Sequence, residues 1–172
     1  MKYYYMKLMD SSKIDRTNSL LDSHAVYGAL CREGLIERFD VYQRVSLESE
    51  HKQSQPTGEL VVVDIKLGTK LNGHDGIVHG GILSLMFDEA IGCACECLRR
   101  KQDDGIGLPA VTAYLTVDFH SPFSEGSEAV IRVCHNETVG RKMYFSATLE
   151  SKDGIVVFAE ARSLFILVRS SL

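Results

Sequence analysis

His79, Gly80, Gly81, Asp88 and Glu89 are the residues of this chain whose types and spacing suggest chemistry. The glycines make a tight turn that runs straight into the most apolar helix the sequence offers, over 80–98. The first N–H groups of a helix lack intrahelical acceptors, and glycine lets a ligand approach them closely. Such a place suits the oxygen charge that develops during acyl transfer. The two acids follow in mid-helix, where an uncompensated carboxylate is costly. Asp88 shares its face with Ser84, Leu85, Ile91 and Gly92, a tightly packed and mostly apolar stripe. A carboxylate there has a tunable pKa and serves as a general base or a nucleophile. Glu89 is expected either exposed at the surface or paired with a nearby arginine.

His79 and Asp88 are nine positions apart, which is roughly 13 Å of helical rise. Within one chain the turn and the acid should therefore not touch. They form one site only if a substrate or a second subunit spans the gap. A metal reading of His74, Asp75 and His79 lacks the spacing of a familiar zinc site. Cys93, Cys95 and Cys97 alternate on the helix and point to opposite faces, so small buried thiols are expected rather than ligands. No metal is expected.

The elements that must position these residues follow from periodicity. A short helix is predicted over 18–32, capped by Asn18 or Ser19, then an irregular strand over 35–47 and a polar loop over 48–58. The β-branched run over 59–68 is a strand, and 69–78 reads as a loop. After the long helix, closed by Arg99, Arg100 and Lys101, the chain is all β: 110–120, 129–137, 143–150 and 155–168, read as a four-stranded meander. In the first of these strands Thr112 alternates onto the polar face, away from the helix. A helix apolar on nearly every side needs cover, and only the sheet can supply it. The fold class is α+β, an antiparallel sheet curled around one long central helix.

A chain of 172 residues forms one domain with a substantial core, residues 1–58 being an amino-terminal extension and 59–172 the main unit. A net charge of −4 leaves no basic footprint for nucleic acid. No run reaches the apolar length of a membrane span, and five unevenly placed cysteines point to a reducing compartment. The first fifteen residues mix lysine with aspartate, unlike a transit peptide. A cytoplasmic location is expected, with a mitochondrial one as the alternative.

The His79-Gly80-Gly81 turn, the acid nine positions on and the downstream strand running to Ser121-Pro122 together resemble the hot-dog-fold thioesterases of the phenylacetate-pathway branch. The resemblance covers roughly residues 59–168. It implies hydrolysis of an acyl-CoA thioester by a homodimer or dimer of dimers, with the site at the subunit interface. It needs no cofactor, coenzyme A entering only as part of the substrate. On that pattern Asp88 is base or nucleophile, the Gly80 N–H polarises the thioester carbonyl, and His79 positions the thioester with Gly81 beside it. Thr112 matches the family's strand hydroxyl, and Arg141-Lys142 matches a place that holds the phosphates of coenzyme A. The family's asparagine lies six residues before the histidine; here Asn72 lies seven before, and Gly73 takes the expected place. The alternative is a catalytically silent hot-dog protein that binds acyl-CoA or serves in assembly.

Overall fold

The computed structural model describes residues 3–13, 23–46, 58–102 and 109–168. Its elements are β1 (Tyr3–Met9), a 3-10 turn (Ser11–Lys13), a π-helical turn (Ala25–Leu30), β2 (Ile36–Ser46), β3 (Gly58–Leu67), β4 (Asn72–His74), β5 (Ile77–Val78), α1 (Gly80–Gln102), β6 (Ala110–Phe119), β7 (Glu128–Val139), β8 (Lys142–Glu150) and β9 (Val157–Leu167).

Alternation drives the strands. In β3 the side chains of Val61, Val63, Ile65 and Leu67 are buried while Val62, Asp64 and Lys66 are half-buried between them. In β8 the buried set is Met143, Phe145, Ala147 and Leu149. These rows face α1, which returns Leu83, Met86, Phe87, Ala90, Ile91, Ala94, Cys95 and Leu98 to the same core. At 1.5 Å per residue this 23-residue helix is about 35 Å long, and the sheet curls along it. Met86, Phe87 and Ile91 are fully buried, so truncating any one to alanine should cost about 2–5 kcal/mol.

The seven long strands form one antiparallel sheet in the order β1-β2-β3-β7-β8-β9-β6. This is the α+β architecture expected, with one difference in connection. β7, β8 and β9 form a meander, but β6 pairs with β9 at the far edge and not with β7. Alternation in a strand records its two faces and says nothing about its neighbours. β1 and β2 extend the same sheet beyond β3. The region read as a loop contains the small β4–β5 hairpin. The long helix continues four residues past its expected end, to Gln102, so the cations lie within its last turn.

Of the short helix expected over 18–32, residues 18–22 lie outside the described residues, including both proposed caps. Of the described part, Ala25–Leu30 is π-helical, with Gly28 and Ala29 both donating to the His24 carbonyl. The polar loop over 48–58 lies outside the described residues except for Gly58, which opens β3.

Candidate active site

The β4–β5 hairpin delivers the glycine turn to the start of α1. Gly76, at φ 69°, makes the hairpin bend in the left-handed region that glycine tolerates. Val78 then donates to the Phe123 carbonyl at 2.9 Å and His79 to the Leu71 carbonyl at 2.8 Å, fixing the helix entry. His79 caps the helix. Its carbonyl accepts from Ile82 at 2.9 Å, and its ring Nδ1 accepts the Gly81 N–H at 2.8 Å. With Nδ1 accepting, the neutral ring carries its proton on Nε2, a donor free to face a ligand.

That cap occupies the Gly81 N–H and leaves the Gly80 N–H without an acceptor among the described residues. Both glycines are closely approached by side chains: a Cβ on Gly81 would lie 3.0 Å from His79 Nδ1, and one on Gly80 would lie 3.2 Å from Phe119 Cζ. The Gly73 position explains the departure in the loop: a Cβ there would lie 2.9 Å from His79 Cδ2, so no asparagine fits. Asn72 is tied elsewhere, its side-chain amide donating to the Glu125 carboxylate.

Asp88 sits more than two turns further along α1. The Thr112 hydroxyl donates to its Oδ1 at 2.8 Å, within one chain. The expectation that Thr112 faces away from its own helix is thus corrected. The β6–β9 register shifts between Thr112 and Tyr114, and the extra residue, Ala113, puts Thr112 in phase with the helix-facing Leu115 and Val117. A bulge of this kind is silent in strict alternation.

Glu89 also departs from expectation. Its side chain is 18% exposed and among the described residues meets no arginine; its Oε1 lies 3.8 Å from His24 Nε2. Burial raises its pKa, the positive potential of His24 and a hydrogen bond from Tyr27 oppose the rise, and Asp88 adds to it. Periodicity placed Glu89 on a mixed stripe, and nothing in that stripe announces a covering segment from residues 24–31.

β6 runs beside the first half of α1, with Phe119 against Gly80 and Thr112 against Asp88. Its outer edge has no neighbour among the described strands, and Val111, Tyr114 and Phe119 are exposed along it. Phe119, against the glycine turn, was not singled out from the sequence; an aromatic at the end of an edge strand was the available signal. Across the sheet, Thr112 aligns with Phe165 of β9 and Met143 of β8. Lys142 and Arg141 therefore lie at the same sheet end as Thr112, two strands away, or roughly 10 Å. Arg141 donates to the Leu167 carbonyl at 3.0 Å and is otherwise exposed.

Cys93 and Cys95 are thiols, both pushed up to about 12, burial being the chief cause. Thiols that hold their protons so firmly are poor nucleophiles. Among the described residues no three His, Cys, Asp or Glu side chains gather as a metal site. None of their helices is long and apolar enough to cross a membrane.

Residues 75–158 match the family model of the thioesterase superfamily. The acyl-coenzyme A thioesterase THEM4 of Bos taurus is 32% identical over 99 residues, 58% of this chain and 37% of that protein. MIOREX complex component 3 of Saccharomyces cerevisiae is 34% identical over 93 residues, 54% of this chain and 32% of that protein. The chain thus spans well under half the length of these curated relatives. Among solved structures, the PaaI protein of E. coli superposes with a TM-score of 0.55 at 19% identity, covering 63% of this chain and 72% of that one. A Bacillus halodurans protein solved with CoA superposes with a TM-score of 0.52 at 21% identity, covering 62% and 66%. The chain has the hot-dog fold, and its resemblance to the hot-dog thioesterases holds in both sequence and architecture.

Proposed function

We propose that this chain hydrolyses acyl-CoA thioesters to a free acid and coenzyme A, acting as a homodimer with two composite sites. The observation that carries the reading is the Asp88 carboxylate held by Thr112 beside an unpaired sheet edge, on the helix whose first N–H, that of Gly80, is open. The two groups are about 12 Å apart in one chain by helical rise.

The edge itself suggests how they meet. If β6 pairs with a second copy about a two-fold axis between Leu115 and Thr116, Thr112 comes opposite Phe119 of the partner subunit. Phe119 packs on Gly80 and Thr112 on Asp88, so Asp88 then approaches Gly80 of the partner subunit. Pairing would also bury Val111, Tyr114 and Phe119, which a lone chain exposes.

In that site the thioester oxygen sits on the Gly80 N–H, the His79 Nε2 proton orients the acyl-thioester group, and Asp88 takes the proton of the attacking water. The alternative entry is direct attack by Asp88, giving an acyl anhydride that water then opens. In the first route the carbonyl–sulfur bond breaks and Asp88 passes the water's proton to the departing thiolate. In the second the thiolate leaves as Asp88 bonds to the carbonyl carbon. The proton of the water that later opens the anhydride then goes to the thiolate as the Asp88 carboxylate is regenerated. Gly81 serves by supplying the N–H that fixes the His79 ring. Arg141 and Lys142 offer positive charge to coenzyme A phosphates. Asn72 supports the hairpin through Glu125. No cofactor is required by this chemistry.

The match to a named complex component supports a second reading, a hot-dog module that serves in assembly without turnover. Asp88→Asn separates the two: a hydrolase loses thiol release, whereas an assembly module behaves as before.

A further inference from the structure

The reaction above uses Asp88 and leaves its half-buried neighbour Glu89 without a role. Asp88 reaches outward to Thr112 on β6, while Glu89 reaches to the 24–31 segment on another side of α1. That segment is built to meet it. His24 caps the π-helical turn, its Nδ1 accepting the Tyr27 N–H at 3.3 Å, which leaves the ring proton on Nε2, the nitrogen 3.8 Å from Glu89 Oε1. The His24 and Tyr27 rings pack with centroids 4.8 Å apart. Tyr27 is buried, lies edge-on to Phe39 of β2, and brings its hydroxyl to Cys93 Sγ at 3.6 Å, one turn beyond Glu89. Two adjacent helical residues thus bind two different elements, and both bonds involve a carboxylate.

We infer that Glu89 is a positioning residue for Asp88: with His24 and Tyr27 it clamps the 24–31 segment to α1 and fixes the rotation of the helix at Asp88. This rests on the thioesterase reading. Loss of the clamp lets that turn of α1 relax about its axis, and Asp88 then moves off the line set by Thr112. The clamp holds when Glu89 is ionised, because either protonation state of His24 presents an Nε2 proton to it. It opens when Glu89 takes up a proton.

The charged and titratable groups facing Glu89 among the described residues are His24 and Tyr27 from the segment, and Asp88 and Cys93 from its own helix. Burial lifts the Glu89 pKa above the ordinary carboxylate range and His24 lowers it. Opening the clamp therefore falls on the acid side of the working range, above the pH at which a solvated carboxylate would titrate.

The test is the pH profile of kcat for acyl-CoA thiol release in wild type, Glu89→Gln and His24→Gln, with the His24 ring titration followed by NMR. On the acid limb a single ionisation costs the wild type about tenfold per pH unit. In Glu89→Gln the part of that limb due to Glu89 should vanish, leaving only the loss that follows from protonating Asp88, with KM unchanged within about twofold. In His24→Gln it should move to higher pH, because the interaction with His24 that lowers the Glu89 pKa is gone. The His24 ring should sense an acid-side step in wild type that is absent in Glu89→Gln. Profiles that superimpose after scaling, or a His24 titration blind to Glu89, would overturn the role. A wild type that releases no thiol removes the reaction and this role together, and Asp88→Asn distinguishes that outcome, since there it too changes nothing.

Discussion

Replacing Thr112 by valine removes one hydroxyl and keeps the β-branched shape that suits an edge strand. The hydroxyl donates to Asp88 at 2.8 Å, and a hydrogen bond to a charged group is worth about 1.5–3 kcal/mol when water is excluded. In the isolated chain Thr112 is exposed, so water replaces much of what the variant loses. The net loss is then about 1 kcal/mol, or roughly fivefold in rate. If a second copy covers β6, as proposed, water is excluded and the loss approaches 3 kcal/mol, or about a hundredfold. The size of the effect therefore reports on the interface as well as on the contact. Steady-state thiol release with a saturating acyl-CoA measures it. The drop should fall on kcat, because the contact aims the base and does not hold the substrate. A kcat within twofold of wild type, or a change confined to KM, would refute the reasoning.

Three further outcomes follow from the same geometry. Arg141→Glu should raise KM for acyl-CoA by about tenfold and lower kcat far less, since it reverses a charge at the proposed phosphate contact and leaves Asp88 untouched; the two constants from one saturation curve decide it. Tyr114→Lys places a charge on the exposed edge of β6 and should convert a dimer to a monomer in light scattering, with thiol release falling in parallel. Gly68→Ala puts a Cβ 2.4 Å from the Gly34 carbonyl carbon, a backbone atom that cannot step aside, so denaturant unfolding should show at least about 2 kcal/mol of lost stability.

Much of the fold was legible because β3, β7, β8 and the long helix each carry one buried face, and burial imprints a period on sequence. The His-Gly-Gly turn was legible because paired glycines at a helix start are a local signal, and in the fold the His79 and Phe119 side chains crowd Gly81 and Gly80. The rest depended on events that leave no period. The bulge at Ala113 inserts one residue into β6 and reverses the face of Thr112. The place of β6 beside β9 is a matter of long-range pairing. Glu89 looked like a surface acid because its partner, His24, lies 65 positions earlier in a segment that packs on the helix only in the folded chain. The asparagine departure is local but became intelligible only when Gly73 was seen to lie against the His79 ring.

The central claim, that Asp88 drives thioester hydrolysis, is tested most directly by CoA thiol release from a panel of acyl-CoA chain lengths with wild type and Asp88→Asn. The amide keeps the shape and can still meet Thr112, but it can neither take a proton from water nor attack a carbonyl. The account predicts turnover by wild type on at least part of the panel and a loss of at least about a thousandfold in the variant. Turnover retained by Asp88→Asn across the panel would contradict it.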